Sequence, residues 1–338
     1  MKDTRIIVEG SRGKSGLVKN LCDLIYSRGE DVVGKITGKE TVVFREGNKI
    51  EIKRDGKLFL IDQENKKVLE KYKEVKYKIF ENQALSPYTM KVIHLIVKPE
   101  IIVIPNIRFE HQNSLGDNIE EIAGGFAMNF KGARKVITLE NKKEVINIFK
   151  EYCDKYKVEL IIVDPSNEEI PSINRVELID RILKELGMEG LTKKEEEFLI
   201  KEVKEAMSVK FSKKQGIYYF YGAKVNDLES TRNVFSYLKI KYPKCKFIFV
   251  CYLRKDRNER TESFLPFFDE ITRDNSVVRV YFTGSGLRHI KDNPKFIKNS
   301  RLKQEEVIEY AKENNLILIT AVNGVNDFMQ ELEKILEN

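Results

Sequence analysis

The chain has 338 residues, of which 41% are hydrophobic and 33% are charged. This length allows two or three domains, each with its own core. The 60 Lys and Arg against 53 Asp and Glu leave a formal net charge of +7, and the basic residues are interleaved with acidic ones throughout. Nucleic-acid binding is therefore not predicted, whereas the small positive excess suits anionic small molecules.

Cysteine usage and apolar runs are typical of a soluble protein from a reducing compartment. The four cysteines are scattered without a C-x-x-C pair, so the usual zinc spacing is not present. The longest apolar runs, at 101–105 and 247–253, are far shorter than a membrane span, and no signal peptide precedes the first predicted strand. We expect a cytoplasmic protein, and a partner would have to supply any membrane attachment.

The chain begins with a predicted strand, a glycine-containing turn and a helix. Residues 4–8 are apolar and β-branched, and apolar residues recur at helical spacing from 14 to 28. The turn reads Gly10-Ser11-Arg12-Gly13-Lys14-Ser15 and is followed by Gly16. Such a junction directs unpaired backbone N–H groups and the positive end of the helix dipole at a bound anion. Lys14 can reach the outer phosphates of a nucleotide, and the Ser15 hydroxyl can ligate Mg²⁺.

This turn departs from a standard P-loop, which has a glycine where this chain has Val8. The shorter G-x-x-G-K-S also fits an ordinary turn with an exposed lysine. Its position at a strand-to-helix junction favours phosphate binding, so residues 10–16 are predicted to bind a nucleotide.

Beyond the turn, short apolar strands alternate with amphipathic helices, which is typical of α/β layers around a largely parallel sheet. The predicted strands cover 31–36, 41–44, 49–53, 58–61, 75–80, 101–104, 135–139 and 159–163. The three strands between 41 and 61 are predicted to form an antiparallel meander. The predicted helices cover 88–97, 118–129, 143–155, 175–186 and 193–206.

The polar stretch 207–216 interrupts this alternation, and we place a domain boundary there, between 1–212 and 213–338. The alternation then resumes in a second, smaller α/β domain. Its predicted strands cover 217–221, 246–252, 277–282 and 316–319, and its predicted helices cover 229–239, 259–270, 305–313 and 325–336.

Two candidate metal ligands follow predicted buried strands. Glu81 follows the strand at 75–80, and His111 lies soon after the strand at 101–104. The carboxyl ends of parallel strands meet at one sheet edge, where oxygen or imidazole ligands can hold Mg²⁺. Taken alone, Glu81 also fits a solvated carboxylate, and His111 a loop histidine with a local hydrogen bond. His94 lies in an apolar helical run and is interpreted as a packing residue.

Together these segments resemble the Mur ligase superfamily, and within it the poly-γ-glutamate synthases of the CapB/PgsB type. That group carries the strings G-T-R-G-K-S, K-T-T-G, E-C-M-A, T-N-V-R-x-D-H, A-N-D-P-E-S-T and R-x-D-R-x-x-R-T. In the same order, this chain has matching strings at 10–15, 35–38, 81–84, 105–111, 225–231 and 254–261. It departs from the pattern at Pro105, Glu110 and Leu228.

The resemblance implies an α/β fold with a P-loop-containing, Mur-ligase-like central domain built on a parallel sheet, plus a smaller Rossmann-like carboxy-terminal domain. It also implies an ATP-dependent ligase in which a carboxylate becomes an acyl phosphate and is then attacked by an amine. ATP and Mg²⁺ are the implied cofactors, with Ser15, Glu81 and His111 as the metal ligands. Lys14, Arg108 and His111 are the implied catalytic residues, and Arg108 is placed to hold a substrate carboxylate.

Further nucleotide contacts follow from the same resemblance. Asn174 takes the place of an adenine-contacting asparagine, although a plain helix N-cap fits it equally well. Asn226, Asp227, Arg254 and Arg260 are expected to close onto the nucleotide. Asp227 fits a helix N-cap as well, and the two arginines also fit surface ion pairs.

The substrates remain open at the level of the sequence. The resemblance favours poly-γ-glutamate synthesis through the γ-carboxyl of glutamate, with a membrane-protein partner holding the chain peripherally at the inner face of the membrane. A Mur-like ligase for another carboxylate, such as a cofactor precursor, is one alternative. A P-loop NTPase that serves as a regulatory or assembly subunit is another. Whether the chain forms a homo-oligomer is left open.

Overall fold

The computed structural model describes residues 3–37, 41–52, 61–83, 86–109, 115–166, 169–223, 225, 227–255, 258–322 and 326–337. The chain divides into two compact units. The first unit comprises residues 1–168 and 172–201, and the second comprises 169–171 and 202–338. The division falls inside a helix, ahead of the polar stretch 207–216, and the predicted boundary after residue 212 stays a prediction.

The first unit is built on an eight-stranded sheet in the order β4-β3-β2-β5-β1-β6-β7-β8. In this order, every neighbouring pair from β2 to β8 is parallel. At the other edge, β3 pairs antiparallel with both β2 and β4. The strands are β1 (Thr4–Val8), β2 (Val32–Ile36), β3 (Thr41–Arg45), β4 (Asn48–Ile52), β5 (Tyr77–Glu81), β6 (Ile101–Ile104), β7 (Lys135–Thr138) and β8 (Glu159–Ile162).

Parallel strands covered on both faces need apolar side chains at every position, and β6 reads Ile-Ile-Val-Ile with all four residues buried. Seven described helices accompany the sheet. They are α1 (Lys14–Ser27), α2 (Ile61–Lys71), α3 (Pro87–Val97), α4 (Ile119–Ala127), α5 (Lys143–Tyr156), α6 (Arg175–Glu185) and α7 (Lys193–Ala206).

The predicted meander is confirmed for its first two strands, β3 and β4. The predicted third strand at 58–61 is different: residues 58–60 lie outside the described part of the chain, and Ile61 begins helix α2. The sequence pattern does not reveal this helix, because its charged surface leaves only a narrow apolar stripe, with Val68 among its buried residues.

The second unit holds a six-stranded sheet in the order β13-β12-β11-β14-β10-β9, in which, over the described residues, only the β9–β10 pair is antiparallel. Its strands are β9 (Lys210–Ser212), β10 (Ile217–Tyr221), β11 (Phe247–Leu253), β12 (Val277–Gly284), β13 (Phe296–Lys298) and β14 (Ile317–Ala321). Its described helices are α8 (Leu228–Lys241), α9 (Asn258–Arg273), α10 (Gln304–Glu313) and α11 (Asp327–Glu337).

Two short strands of this sheet were not predicted. β9 lies within the polar stretch that we interpreted as a break in the alternation, and only one of its three residues is buried. β13 has no fully buried residue. Such edge strands lack the apolar pattern that identifies a strand from its sequence. Among the described helices of both units, none is both long and apolar enough to cross a membrane.

A charged pair fastens the end of α1 to the start of α7 within the first unit. The Arg28 guanidinium donates to both oxygens of Glu195, at 2.9 and 2.6 Å, and also to the carbonyls of Glu189 and Gly190. Glu195 accepts two further bonds from Thr192. The Arg28 hydrogen bonds, with those from Thr192, lower the pKa of Glu195 to about 2 against the opposing effect of burial.

We expect Glu195→Gln to destabilise the chain by about 1–3 kcal/mol at pH 7, because it removes a charge-assisted bidentate bond. The folded-state pKa is lowered, so this stabilisation is complete above the ordinary pKa and is lost as pH falls towards about 2. Urea unfolding of wild type and variant at pH 7 and pH 3 measures the difference. Asp23→Asn, which breaks the exposed Lys19–Asp23 pair, is the control and should cost less than about 0.5 kcal/mol. A difference for Glu195→Gln that is as large at pH 3 as at pH 7 would contradict the assignment.

Candidate active site

The turn between β1 and α1 presents the free end of a helix to solvent. Gly13 adopts the left-handed conformation at φ 84° immediately before α1, and the Leu17 N–H makes the first helical bond, to the Gly13 carbonyl at 3.0 Å. The N–H groups of Lys14, Ser15 and Gly16 therefore have no acceptor within the helix. Gly13 and Ser15 are exposed, so an anion can reach these donors and the positive end of the helix dipole.

Lys14 folds back over this turn. Its Nζ donates to the carbonyl oxygens of Gly10 at 2.6 Å and of Ser11 at 3.1 Å. The turn of residues 10–16 is called the cradle below. The Lys14 ammonium therefore lies at the mouth of the cradle, next to the first-turn N–H groups of α1, where a phosphate chain would need a counter-charge.

Segment 105–108, which follows β6, fixes the shape of the turn. The Asn106 amide accepts from the Arg12 N–H at 3.0 Å and donates to the Arg12 carbonyl at 3.2 Å, and the Asn106 carbonyl accepts from the Ser11 N–H at 2.9 Å. Gly10 has φ +106°, and a Cβ there would lie 2.6 Å from the Asn106 oxygen. Only glycine fits this approach of two backbones.

A residue that follows β7, the neighbour of β6 in the sheet, supports segment 105–108. Glu140, which follows β7 and is only 2% exposed, accepts from the Ile107 N–H at 2.8 Å. The Ser11 hydroxyl accepts from the Arg108 N–H at 2.8 Å. The backbone of Arg108 is thus held against the cradle, and its Nη1 reaches the Ile107 carbonyl at 3.4 Å.

Glu81, at the end of β5, lies against the first turn of α1. The Ser15 hydroxyl donates to its Oε2 at 2.8 Å, and the Thr37 N–H donates to the same oxygen at 3.3 Å. Burial raises the pKa of Glu81, while the Lys14 charge and the hydrogen bonds from Ser15 and Thr37 oppose that rise. The structure thus brings together two predicted metal ligands, Ser15 and Glu81, as hard oxygen donors of the kind Mg²⁺ takes.

A fully buried lysine orders the segment that carries Thr37. Lys35 has no exposed surface, and its Nζ contacts Asn65 at 2.7 Å, Thr37 Oγ1 at 3.2 Å and Glu64 at 3.2 Å. Buried charges persist when such partners satisfy them. Lys35 therefore links helix α2 to the strand end that faces Glu81.

A second polar cluster lies behind the cradle. The Glu9 carboxylate, which is fully buried, accepts from the Asn82 amide at 3.0 Å and pairs with His94 Nε2 at 2.9 Å. His94 is buried in α3, and besides packing there it pairs with Glu9, a contact that its apolar sequence neighbours do not indicate. Because Asn82 follows Glu81, this cluster holds the ends of β1 and β5 side by side.

Not every predicted site residue can be placed. His111 and Glu110 lie outside the described residues, so the metal role of His111 stays a prediction. In the described ranges, no three His, Cys, Asp or Glu side chains are grouped to hold a metal ion. All four cysteines are free.

Asn174 stands at the start of α6, but its side chain does not cap that helix. Its Oδ1 accepts from the N–H and the hydroxyl of Ser166, at 3.1 and 3.0 Å. The capping alternative therefore does not describe the side chain, and the adenine contact stays a prediction.

In the second unit, Arg254 follows β11 and lines a cavity of about 560 Å³ with Tyr252, Lys255, Ser285 and Asn326. The buried Asp227 caps α8, since its side chain accepts from the Ser230 N–H at 2.8 Å. Arg260 lies in the first turn of α9. Asn226 lies outside the described residues, and the nucleotide contacts of these four residues stay predictions.

Comparisons with known proteins show which family and fold this chain is similar to. Residues 206–337 match the family described as the poly-gamma-glutamate synthase CapB C-terminal domain. The chain is 24% identical over 285 residues to the PGA synthase CapB of Bacillus subtilis (strain 168), covering 78% of this chain and 72% of that protein.

Solved structures show the same fold at low sequence identity. The MurF ligase of Thermotoga maritima in complex with ADP superposes with a TM-score of 0.68 at 14% identity, covering 99% of this chain and 79% of that one. The Mycobacterium tuberculosis folylpolyglutamate synthase complexed with ADP and AMPPCP also gives 0.68, at 11% identity, covering 98% and 91%. The fold is therefore that of the two-domain, Mur-type ligases. The predicted resemblance, down to its CapB type, is confirmed by these matches.

The N-cap at Asp227 yields a test that separates its two roles. Asp227→Ala should cost about 0.5–2 kcal/mol of stability, because the Ser230 N–H loses its acceptor, whereas Asp227→Asn keeps an acceptor and should cost less than about 0.5 kcal/mol. Urea unfolding of both variants measures this. Equal losses would contradict the cap as the structural role of Asp227, and a fall in ATP affinity that both variants share would reveal a nucleotide contact of its charge.

Proposed function

We propose that this chain is an ATP-dependent ligase that joins a carboxylate to an amine through an acyl phosphate. The observation that carries the proposal is the arrangement at one sheet edge. There the first turn of α1, the Lys14 ammonium and the Ser15–Glu81 hydrogen bond lie together. The likeness to ADP-bound MurF and the CapB match support ATP as the nucleotide and amide formation as the reaction.

The chemistry has two steps. A carboxylate oxygen attacks the γ-phosphorus of ATP, the bond between that phosphorus and the β–γ bridging oxygen breaks, and ADP leaves with its electron pair. A neutral amine then attacks the acyl carbon, and the carbon–oxygen bond to phosphate breaks. The nitrogen finally loses a proton to solvent, and the products are an amide, ADP and phosphate.

This chain's residues supply the positions and charges that those steps need. The first-turn N–H groups of α1 hold the phosphate chain, and Lys14 offsets the negative charge on the transferring group. Ser15 and Glu81 fit Mg²⁺ by their donor chemistry. When bound, Mg²⁺ would neutralise phosphate charge. Arg108, with its backbone fixed on Ser11, is the candidate for holding the substrate carboxylate.

The CapB match supports a glutamate substrate. We infer that the γ-carboxyl of glutamate is activated and that the amine belongs to another glutamate. Another carboxylate remains the alternative within the same chemistry. We further propose a cytoplasmic location, with a membrane-protein partner that holds the chain at the inner face.

Lys14→Ala should lower glutamate-stimulated phosphate release from ATP and Mg²⁺ by about 10²-fold or more, because a charge directed at the transferring phosphoryl group is lost. A coupled phosphate assay measures it. Lys19→Ala is the matched control, since Lys19 lies on the same helix, pairs with Asp23 and is exposed.

Three outcomes distinguish the rivals. Stimulation by glutamate that Lys14→Ala abolishes supports the proposal. Lys14-dependent release that another carboxylate stimulates keeps the ligase and changes the substrate. Lys14-dependent release that no carboxylate stimulates, even with the partner present, contradicts the ligase and favours a P-loop NTPase subunit.

Glu81→Gln tests the metal site. The variant keeps the acceptor for the Ser15 hydroxyl and the Thr37 N–H, but it loses the negative charge. We expect the Mg²⁺ concentration for half-maximal activity to rise by about tenfold or more, because a carboxylate binds a hard dication far better than an amide. A magnesium titration at saturating ATP measures the change, and an unchanged requirement would exclude Glu81 as a ligand.

A further inference from the structure

An unpredicted cation lies against the first turn of α1. The Arg175 guanidinium occupies the space where a side chain at position 16 would stand, because a Cβ built on Gly16 would lie 2.9 Å from its Nη1 and 4.0 Å from its Cζ. Apart from Ser15, Leu17 and the backbone of α1 itself, no other described atom lies within 4 Å of that Cβ position. Glycine at this position therefore lets the guanidinium approach the backbone of the cradle.

The neighbouring Gly16 N–H is one of the donors without an acceptor in the helix. A phosphate oxygen held by these donors would therefore lie near the Arg175 guanidinium as well. Arg presents five donors in a planar fork that matches phosphate geometry, and its pairing with phosphate is frequently bidentate.

Helix propensity does not account for this arginine. Arg175 is the first residue of α6, where the positive end of the helix dipole disfavours a cation. Asn174, just before it, is tied to Ser166 by two hydrogen bonds, so the start of α6 is fixed in place. A residue that breaks a local rule in a fixed position is expected at functional sites.

We propose that Arg175 is a nucleotide-binding residue that contacts the phosphate chain beside Gly16. The inference rests on the proposed ATP site and adds to it a second cation, on the side of α1 that packs against α6. Lys14 crosses the mouth of the turn, whereas Arg175 approaches the phosphates from the helix.

The experiment measures the binding of ADP and of inorganic tripolyphosphate, a probe without base or sugar, by calorimetry in Mg²⁺. Arg175→Gln should weaken both ligands by about tenfold or more and by similar factors, because one charge-assisted contact is lost. Arg175→Lys keeps the charge and should lose clearly less. Arg181→Gln is the matched control on the same helix, because Arg181 pairs with Glu185, and it should bind both ligands as wild type does.

Gly16→Ala provides an independent variant that acts on the same contact from the other side. Its Cβ must displace the guanidinium, so ADP binding should weaken, while in the Arg175→Gln background the same change should add less than about twofold. Gly124→Ala, in a helix where the added Cβ meets nothing within 4 Å, controls for the glycine substitution itself. Thermal unfolding of each variant checks that it is folded.

Several results overturn the proposal. Unchanged binding of both ligands by Arg175→Gln refutes it. A loss for ADP with unchanged tripolyphosphate binding moves the contact to the base or ribose and refutes it too. Full additivity of Gly16→Ala and Arg175→Gln excludes the placement beside Gly16. If wild type binds neither ligand, the proposed nucleotide site fails as a whole, which is distinguishable from a defect confined to the Arg175 variants.

Discussion

The arrangement around the site depends on one constraint, namely that the first N–H groups of α1 need an acceptor that the helix cannot supply. Gly13, in its left-handed conformation, starts the helix without a side chain over these donors. The usual stabilisation by a capping Ser, Thr or Asp is absent from this start, and a bound anion provides the equivalent interaction.

Holding these donors in place requires polar contacts from several strand ends. The register that pairs Val8 with Glu81 on one side and with Val103 on the other aligns the carboxyl ends of β5, β1 and β6. Side chains just beyond those ends then meet: Glu81 with Ser15, Asn82 with Glu9, and the Asn106 amide with the backbone of Arg12. The parallel sheet thus converts three separate stretches of sequence into one rigid cradle.

The sequence could predict the parts of the site that are local. Gly10 to Ser15 is a contiguous string between an apolar strand and an amphipathic helix, so its position could be read directly, and the alternation of elements was enough for the fold. Glu9, Glu140 and Arg175 could not be found in this way. Each is a charged residue with no local pattern, and its role depends on a partner far away in the chain: His94, the Ile107 N–H and Gly16. The edge strands β9 and β13 cannot be predicted from the sequence for a related reason, since their exposure removes the apolar alternation that marks a strand.

Three of the buried charges lie in or next to the segments that form the site, and binding explains them better than stability does. Lys35, Glu9 and Glu140 are almost completely buried, and all three support segments that carry the site. Replacing such groups by apolar residues of similar size is often neutral or stabilising in proteins, because desolvation offsets much of their attraction. Their presence is easier to explain if they fix the orientation of Thr37, the end of β1 and the Ile107 backbone. Arg175 at the start of α6 follows the same logic, because the positive end of the helix dipole disfavours a cation at that position.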